Sequence, residues 1–474
     1  MDLLAPVSRL LAHPAWALRD GSPRLRYLRE FSHTQWLDPE RVQDQVKLNL
    51  RRLLAHAIAR CPHYRSRAAE LGIRAEDIRG PSDLSQWPIL DKRHIQEHGP
   101  ELVAEGWHED DLVPDFTGGS TGAPLRFFLH SDRVASRAAG AWRHDGWAGW
   151  RPGDRKGLLW GAPRDFLPQD NWRARVRSAL LDRTLQLDAT CLTQESMERY
   201  WRRLLRFRPP VLQAYAQSMV VFAGFLRERD LEPPRLRGII TSAEVLTPDG
   251  RQLIESVFGC RVYDRYGSRE VGLIASQCSE GEWMHVNAES VLVEFVQGNR
   301  PASPGELGEV LVTDLRNYAM PLIRYRIGDL GSPMAGACAC GRGLPLMRMV
   351  AGRVTDSIVR PDGGLVSGIS LATYMITGRP GIGQVQLHQY DTQSLVVRVV
   401  PGPGFSSADT DCLRERAQSY LGHAITIRFD TVASIPKEAS GKYRFSISEV
   451  SGVDAMASRS RRTVSAALSE ARDE

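Results

Sequence analysis

Between Pro39 and about Leu71 apolar residues recur at helical spacing, at Leu48, Leu50, Leu53, Leu54 and Ile58, with Arg and Lys on the opposite face. That period predicts a largely helical stretch. Pro62, Gly72, Gly80 and Pro81 punctuate the chain beyond it, and Ser82-Asp83-Leu84 has the form of a helix start. Leu125 to Leu129 is a short apolar run with Arg126 inside it, read as a strand. Ser131-Asp132-Arg133 then opens a helix expected to carry Trp142, Trp147 and Trp150. Further on, strand and helix signals alternate. Val211–Tyr215, Leu236–Thr241 and Arg261–Asp264 read as strands, Ser218–Arg229 and Thr247–Phe258 as helices, the last with Thr247 as N-cap and Pro248 at the first helical position. Alternation at this spacing means βαβ units and a mainly parallel sheet, in which ligands sit beyond the carboxyl ends of strands. Ser242-Ala243-Glu244 and Arg265-Tyr266-Gly267 are expected there.

From Glu289 to Thr313 the pattern turns to β, at Val291–Phe295 and Val310–Val312. After a turn at Asp362-Gly363-Gly364 come strands at Gln384–Gln389 and Ser394–Val400, a helix at Ala408–Leu421 and a strand at Ile425–Asp430. This last set is a small α+β unit. The fold class is therefore α/β, a large N-terminal domain of mixed sheets flanked by helices (1–351) and a small C-terminal α+β domain (352–474). The tail after Gly452 reads as a loosely held helix or disorder.

Composition narrows the function little. A chain with 42% hydrophobic and 25% charged residues is an ordinary globular protein, and a formal charge of +5 over 474 residues argues for no nucleic-acid partner. No apolar run approaches the ~20 residues of a membrane span. Asp2, Arg9 and His13 interrupt the apolar N-terminus, against a secretory signal. Seven scattered cysteines suggest a reducing compartment, hence the cytoplasm. The Arg clusters at 173–183 and 199–208 read as solvated helix faces or as a surface for an acidic partner.

Two constellations carry chemistry. In Thr117-Gly118-Gly119-Ser120-Thr121-Gly122-Ala123-Pro124 the glycines free the backbone to converge on an anion, and the hydroxyls add donors. The stretch could wrap a polyphosphate or form a surface turn. It is not a Walker A loop, since Ala123 and Pro124 come after the last Gly where Lys would stand. Cys278, His285, Cys338 and Cys340 offer three thiols and an imidazole, a set suited to a tetrahedral structural Zn²⁺, although the Cys-x-Cys spacing is tighter than usual. The other reading is four unrelated residues. Cys191, Cys260 and Cys412 read as core residues.

Six stretches succeed one another in a characteristic order: Thr117–Pro124, Tyr266-Gly267-Ser268-Arg269-Glu270, Gly305–Glu309, Arg324–Asp329, Gly352–Ile358 and Pro436–Lys442. The series resembles the adenylate-forming superfamily of acyl-CoA synthetases and adenylation domains, in particular its phenylacetate–CoA ligase, CapK-like and coenzyme F390 synthetase-like branch. The resemblance implies ATP- and Mg²⁺-dependent activation of a small carboxylic acid as an acyl-adenylate, followed by transfer to CoA. A carrier protein or an amine is the alternative acceptor, and a non-catalytic nucleotide-binding scaffold the alternative of another class. Oligomeric state is left open, a homodimer being one option.

Carried over residue by residue, the resemblance implies that Thr117, Gly118, Gly119, Ser120, Thr121 and Gly122 hold the β- and γ-phosphates. Glu270 would hold Mg²⁺, a hard cation that wants carboxylate oxygen. Tyr266, between Arg265 and Gly267, would pack on adenine, with Ser242, Ala243 and Glu244 along its other side. Asp329 would accept from the ribose hydroxyls, and Arg353 would add a polar contact at the hinge, where Thr355 stands in place of the Asp of many relatives. Lys442, on a Ser-Gly-Lys turn of the mobile small domain, would reach the carboxylate and α-phosphate in the first half-reaction, with Lys437 the competing candidate. The resemblance also favours zinc at the Cys/His set. Tyr215, Trp142 and the segment around Ala243 are expected near the acid pocket.

Overall fold

The computed structural model describes residues 2–78, 80–116, 125–160, 177–189, 192, 194–244, 246–298, 300–353, 357–361, 365–376, 379, 381–435 and 445–450. The chain forms two compact units, Met1–Ile327 with Gly331–Met349, and Gly328–Leu330 with Val350–Glu474. No helix among the described residues is long and apolar enough to cross a membrane.

The first unit starts with short helical turns that lead into helices α1 (His13–Arg19) and α2 (Arg24–Thr34). Helices α3 (Pro39–Arg60) and α4 (Pro62–Leu71) each begin with Pro, whose missing N–H would have no partner in a first turn. α3 buries Val42, Val46, Leu50, Leu53, Leu54 and Ala57, while Leu48 points outward. The helix start expected at Ser82 is only a 3₁₀ helix, Pro81–Gln86. Pro88 drives Trp87 into extended backbone and stops it.

Strands β1 (Leu112–Phe116) and β2 (Arg126–His130) pair antiparallel on either side of the glycine-rich stretch, which itself lies outside the described residues. Helix α5 (Ser131–Trp147) comes next. It ends before Trp150, because Gly149 takes a φ of 91° and turns the chain away, so Trp150 is not a helix residue as the spacing suggested.

The next elements are β3 (Lys156–Trp160), β4 (Thr184–Asp188), helix α6 (Gln194–Phe207), β5 (Val211–Tyr215), helix α7 (Ala216–Glu228), β6 (Gly238–Ser242) and helix α8 (Pro248–Phe258). On α8, Thr247 caps through its hydroxyl, which accepts from the Gly250 N–H at 3.0 Å. Strand β7 (Arg261–Ser268) completes the parallel set, in the order β4-β3-β5-β6-β7. Antiparallel strands continue the sheet: β8 (Gly272–Gln277), β9 (Met284–Val286), β10 (Val291–Gln297), β11 (Arg300–Pro301), β12 (Gly308–Asp314), β13 (Tyr325–Met334) and β14 (Leu346–Arg353). The 12-stranded order is β11-β10-β12-β13-β14-β9-β8-β7-β6-β5-β3-β4.

Alternation along the parallel strands sets two layers. Leu159, Leu212, Ile239 and Val262 face α6, α7 and α8, packing with Leu204, Phe222 and Ile254. Their neighbours Val211, Ile240 and Tyr263 face the other way, towards Ala148 and Trp150. α6 turns Arg199, Arg202, Arg203 and Arg206 to solvent. On the opposite layer α5 is fixed by buried ion pairs, Arg133–Asp314 at 2.9 Å and Arg143–Glu289 at 2.6 Å. Removing one partner from such a pair strands a charge in the interior.

In the second unit β15 (Ser357–Val359) pairs with β16 (Leu365–Ser367) and leads to helix α9 (Gly368–Ile376). Strands β17 (Ile382–Asp391) and β18 (Ser394–Pro401) form an antiparallel pair. Helix α10 (Ser407–Leu421) precedes β19 (Thr426–Thr431), and β20 (Ser446–Ser448) closes the sheet in the order β19-β18-β17-β20. Leu371, Met375, Val385, Val397, Leu413 and Ala417 form its core.

Candidate functional site

Trp160, Tyr215 and Ser242 are the last residues of β3, β5 and β6. By register Leu159 lies opposite Ala214, Tyr215 opposite Ser242, and Ser242 opposite Arg265, so these ends form one row. The rings of Trp160 and Tyr215 lie 4.1 Å apart between centroids.

β7 does not stop with its neighbour. It runs on past the end of β6, so Arg265-Tyr266-Gly267 lie inside a strand rather than on a loop after one. The reason is β8, whose antiparallel pairing replaces the hydrogen bonds that β6 no longer offers. A register shift between Tyr266 and Gly267 marks a bulge, which re-aims side chains. At Gly267 a Cβ would come within 2.7 Å of the Gly272 carbonyl oxygen, so glycine is required. Beside it, Ala243 holds a φ of 67°, a left-handed conformation that costs a non-glycine residue roughly 1–2 kcal/mol. Ser242 Oγ donates to the Arg265 carbonyl at 3.1 Å, tying this turn to β7. Glu244 is half-buried in the same turn.

Glu270 is half-buried in the turn after β7, and Tyr325 Oη donates to its Oε1 at 2.9 Å. The backbone of that turn is held from α5. Arg133 Nη2 donates to the Val271 carbonyl at 2.7 Å, Arg137 Nη1 to the Arg269 carbonyl at 3.1 Å, and Arg137 Nη2 to the Glu270 carbonyl. Burial, with the Arg133 charge beside it, pulls the Arg137 pKa down to about 9. Sequence reasoning assigned no role to Tyr325, Arg133 or Arg137. The one local signal was the spacing of four between the two arginines, which puts them on one helix face.

Farther along the row, Asp145 of α5 binds Arg265 at 2.7 Å and Lys156 at 2.8 Å, all three buried or nearly so. Burial alone would raise the Asp145 pKa, but Lys156 and Arg265 hold it below the ordinary carboxylate value. Asp264 faces the other layer, accepting from Thr241 Oγ1 at 2.9 Å and from the Arg265 N–H at 3.1 Å. Burial raises its pKa from 3.8 to about 6, against the Thr241 hydrogen bond and the Arg251 charge. A raised carboxyl pKa means the native state holds the proton more tightly than the unfolded chain. Its stabilisation is therefore full below 3.8 and is lost as pH rises through about 6. Asp264→Asn should remove that loss. Denaturant titrations should show the variant gaining about 2 kcal/mol on the parent between about pH 4 and about pH 7. Parallel pH profiles for the two proteins contradict this.

Asp329 lies on β13, half-buried, and Arg353 is the last residue of β14. Thr117, Gly118, Gly119, Ser120, Thr121, Gly122, Lys437 and Lys442 lie outside the described residues. Trp142 is edge-on to His13 at 5.1 Å and packs with Trp150, Val211 and Ile240.

The Cys/His set converges. Cys278 comes directly after β8, His285 is the middle of β9, and Cys338 and Cys340 lie between β13 and β14. The register pairs Ser276 and Leu346 with His285. One ligand atom from each of the four lies within 4.8 Å of the others. Cys278 Sγ is 3.5 Å from Cys338 Sγ, and Cys340 Sγ is 3.4 Å from His285 Nε2. The Glu280 N–H donates to Cys278 Sγ at 3.4 Å. Burial and the nearby Arg342 charge bring the His285 pKa down to about 4. The other thiols differ in burial. Cys61 is fully buried, while Cys260 and Cys412 are half-buried rather than core residues.

Comparison with known proteins gives a consistent picture. Residues 358–449 match the CapK C-terminal domain family model. The chain is 23% identical to Protein CapK of Staphylococcus aureus over 385 residues, 78% of this chain and 81% of that one. It is 27% identical to a phenylacetate-coenzyme A ligase of Thermus thermophilus over 333 residues, 68% of this chain and 73% of the relative. Among solved structures, a 2-hydroxyisobutyryl-CoA ligase in the postadenylation state with 2-HIB-AMP has a TM-score of 0.69 at 20% identity, covering 90% of this chain and 93% of that one.

Proposed function

We infer that this chain belongs to the phenylacetate–CoA ligase and CapK branch of the adenylate-forming enzymes and is an AMP-forming acyl-CoA ligase. A carboxylate oxygen of a small acid bonds to the α-phosphorus of ATP as the α–β anhydride breaks and pyrophosphate leaves. The CoA sulfur then bonds to the acyl carbon, its proton goes to solvent, and AMP departs. The observation that carries the reading is the pinned Glu270 carboxylate, in the turn after Tyr266-Gly267 of β7, the strand that pairs with the Ser242 end of β6.

In this reading Thr117–Gly122 cradle the phosphates, with Ser120 and Thr121 donating. Glu270 holds Mg²⁺, which offsets the charge crowding on the phosphates. Arg133 and Arg137 position Glu270 by fixing its backbone, and Tyr325 orients its carboxylate. Tyr266 packs on adenine opposite Ser242–Glu244, Asp329 accepts from the ribose hydroxyls, and Arg353 adds a polar contact. Lys442 neutralises the carboxylate and α-phosphate during adenylation.

The Cys278, His285, Cys338 and Cys340 set fits a structural Zn²⁺. Bonds of about 2.3 Å to sulfur and about 2.0–2.1 Å to nitrogen imply tetrahedral edges of roughly 3.5–3.8 Å. The Cys278–Cys338 sulfur–sulfur separation is 3.5 Å, the Cys340–His285 sulfur–nitrogen separation 3.4 Å, and all four donor atoms lie within 4.8 Å of one another. Joining the β8–β9 hairpin to the loop after β13 is a structural task, since the set lies apart from Glu270.

ATP–pyrophosphate exchange across a panel of carboxylic acids tests the activation step. At least one acid should support exchange, and none doing so favours a nucleotide-binding scaffold. With an activating acid in hand, AMP release should depend on CoA. The exposed arginines of α6 favour a carrier protein as the second reading, and release that needs a phosphopantetheinyl carrier or an amine instead of CoA would select it.

A further inference from the structure

A cavity of about 470 Å³ lies on the face of the parallel strands turned away from α6, α7 and α8. Its floor is Lys156, Leu158 and Trp160 of β3, Gln186 of β4 and Gln213 of β5, alternate residues that share one face. Its roof is brought from the start of the chain by His13 and Trp16 of α1 and Arg24 of α2. Trp142 and Trp150 close the side, their rings 5.7 Å apart.

Three features mark it as built for a ligand. Among the described residues, His13 Nε2 and Arg24 Nε are buried without a hydrogen-bond partner, an arrangement that costs free energy unless something fills the space. The charged walls balance, Arg24, Arg177 and Lys156 against Asp20, Asp182 and Asp145, so they select no ion. Four tryptophans, Trp16, Trp142, Trp150 and Trp160, supply flat apolar surface. A volume of this size belongs to a small-molecule pocket, and it exceeds what a single phenyl ring fills.

The cavity also connects to the row of strand ends. The Trp160 ring lies against that of Tyr215, which stands opposite Ser242, which stands opposite Arg265. Asp145, in the cavity wall, is the residue that binds Arg265. From β7 to β3 is three strand spacings, about 14 Å.

We propose that this cavity receives the distal part of the acid substrate, a neutral aromatic or heteroaromatic group with hydrogen-bonding substituents, while the carboxylate lies at the ends of β6 and β7. This assignment rests on the acid-activating reading and narrows it, since the preferred acid is then longer than phenylacetate. His13 and Arg24 hydrogen-bond the substituents, and Trp160 with Tyr215 forms the threshold between the acyl stem and its tail.

The test uses the full chain and two measurements, calorimetric binding without ATP and ATP–pyrophosphate exchange. Benzoate and phenylacetate are the short probes; indole-3-butyrate and N-benzoyl-4-aminobutyrate are the long ones. Long probes should bind at least about 10-fold more tightly than short ones. Ala17→Trp, which fills the cavity from α1, should lower kcat/KM for long acids at least about 10-fold more than for short ones. His13→Leu should weaken the amide-bearing probe about 10-fold more than indole-3-butyrate. If Ala17→Trp does not fold, Trp16→Ala supplies the opposite test, because enlarging the space should shift preference further towards length. Exchange with short acids, but no length preference and no selective effect of any variant, overturns the cavity assignment and leaves acid activation standing. Tight binding of long probes with no exchange from any acid overturns acid activation, and with it the claim that the occupant is the substrate.

Discussion

Lys442→Ala is expected to slow acyl-adenylate formation by about 10²–10³-fold, the usual cost of losing one well-placed electrostatic contact in a transition state. The size of the effect depends on when the charge is needed. Negative charge crowds the α-phosphate as the acid oxygen attacks, and a cation supplied there lowers the barrier without tightening ground-state binding. The loss should therefore appear in kcat for ATP–pyrophosphate exchange, with the affinity for ATP little changed. Thioester formation from a supplied acyl-adenylate should proceed at nearly the parent rate, because the family resemblance implies that this lysine serves the first half-reaction only. Asp329→Ala makes the contrast, weakening nucleotide binding in both half-reactions. Equal slowing of both halves by Lys442→Ala, or of neither, would move the assignment to Lys437.

The second large effect concerns the Cys/His set. Protein purified without added metal should contain one zinc per chain. Cys338→Ser and Cys340→Ser should each lose the metal and lower Tm by roughly 5–10 °C, since binding that requires the folded arrangement contributes directly to folding. Protein that remains folded should keep most of its exchange activity. The same linkage sets a pH dependence. The thiols must be deprotonated to bind, so the metal should leave as pH falls, and stability should fall with it. An absence of zinc together with parent-like Tm in both variants removes the site.

Much of this chain could be read locally. Thr247 and Pro248 open α8 because a hydroxyl cap and a residue with no N–H each satisfy a helix start within a few residues. Val211–Tyr215 is a strand with the bounds its apolar run implies. Such elements depend on their own period and ends. Others depend on a partner that the local pattern does not contain. β7 extends to Ser268 because β8 is there to receive its hydrogen bonds, so the Tyr266-Gly267 pair sits in a bulged strand and not in a loop. The helix at Ser82 fails after one short 3₁₀ segment because of Pro88, while Trp150 leaves its helix because Gly149 turns left-handed.

The chemistry divides the same way. Residue type and spacing nominated Cys278, His285, Cys338 and Cys340, yet the two halves of the set are more than fifty positions apart. Only the pairing of β8, β9 and β14 brings their donor atoms within 4.8 Å. Glu270 could be named from its motif, but the Tyr325 hydroxyl that orients it, and the two α5 arginines that fix its turn, arrive from 55 and more than 130 positions away. The cavity is the extreme case, since His13, Trp16 and Arg24 meet Gln186 and Gln213 across most of the first unit's parallel sheet. Caps, periods and turns act over a few residues and are written into the chain itself. Burial, ion pairing and cavity shape are properties of surfaces that meet only after the chain has folded, and no single stretch of sequence holds both sides.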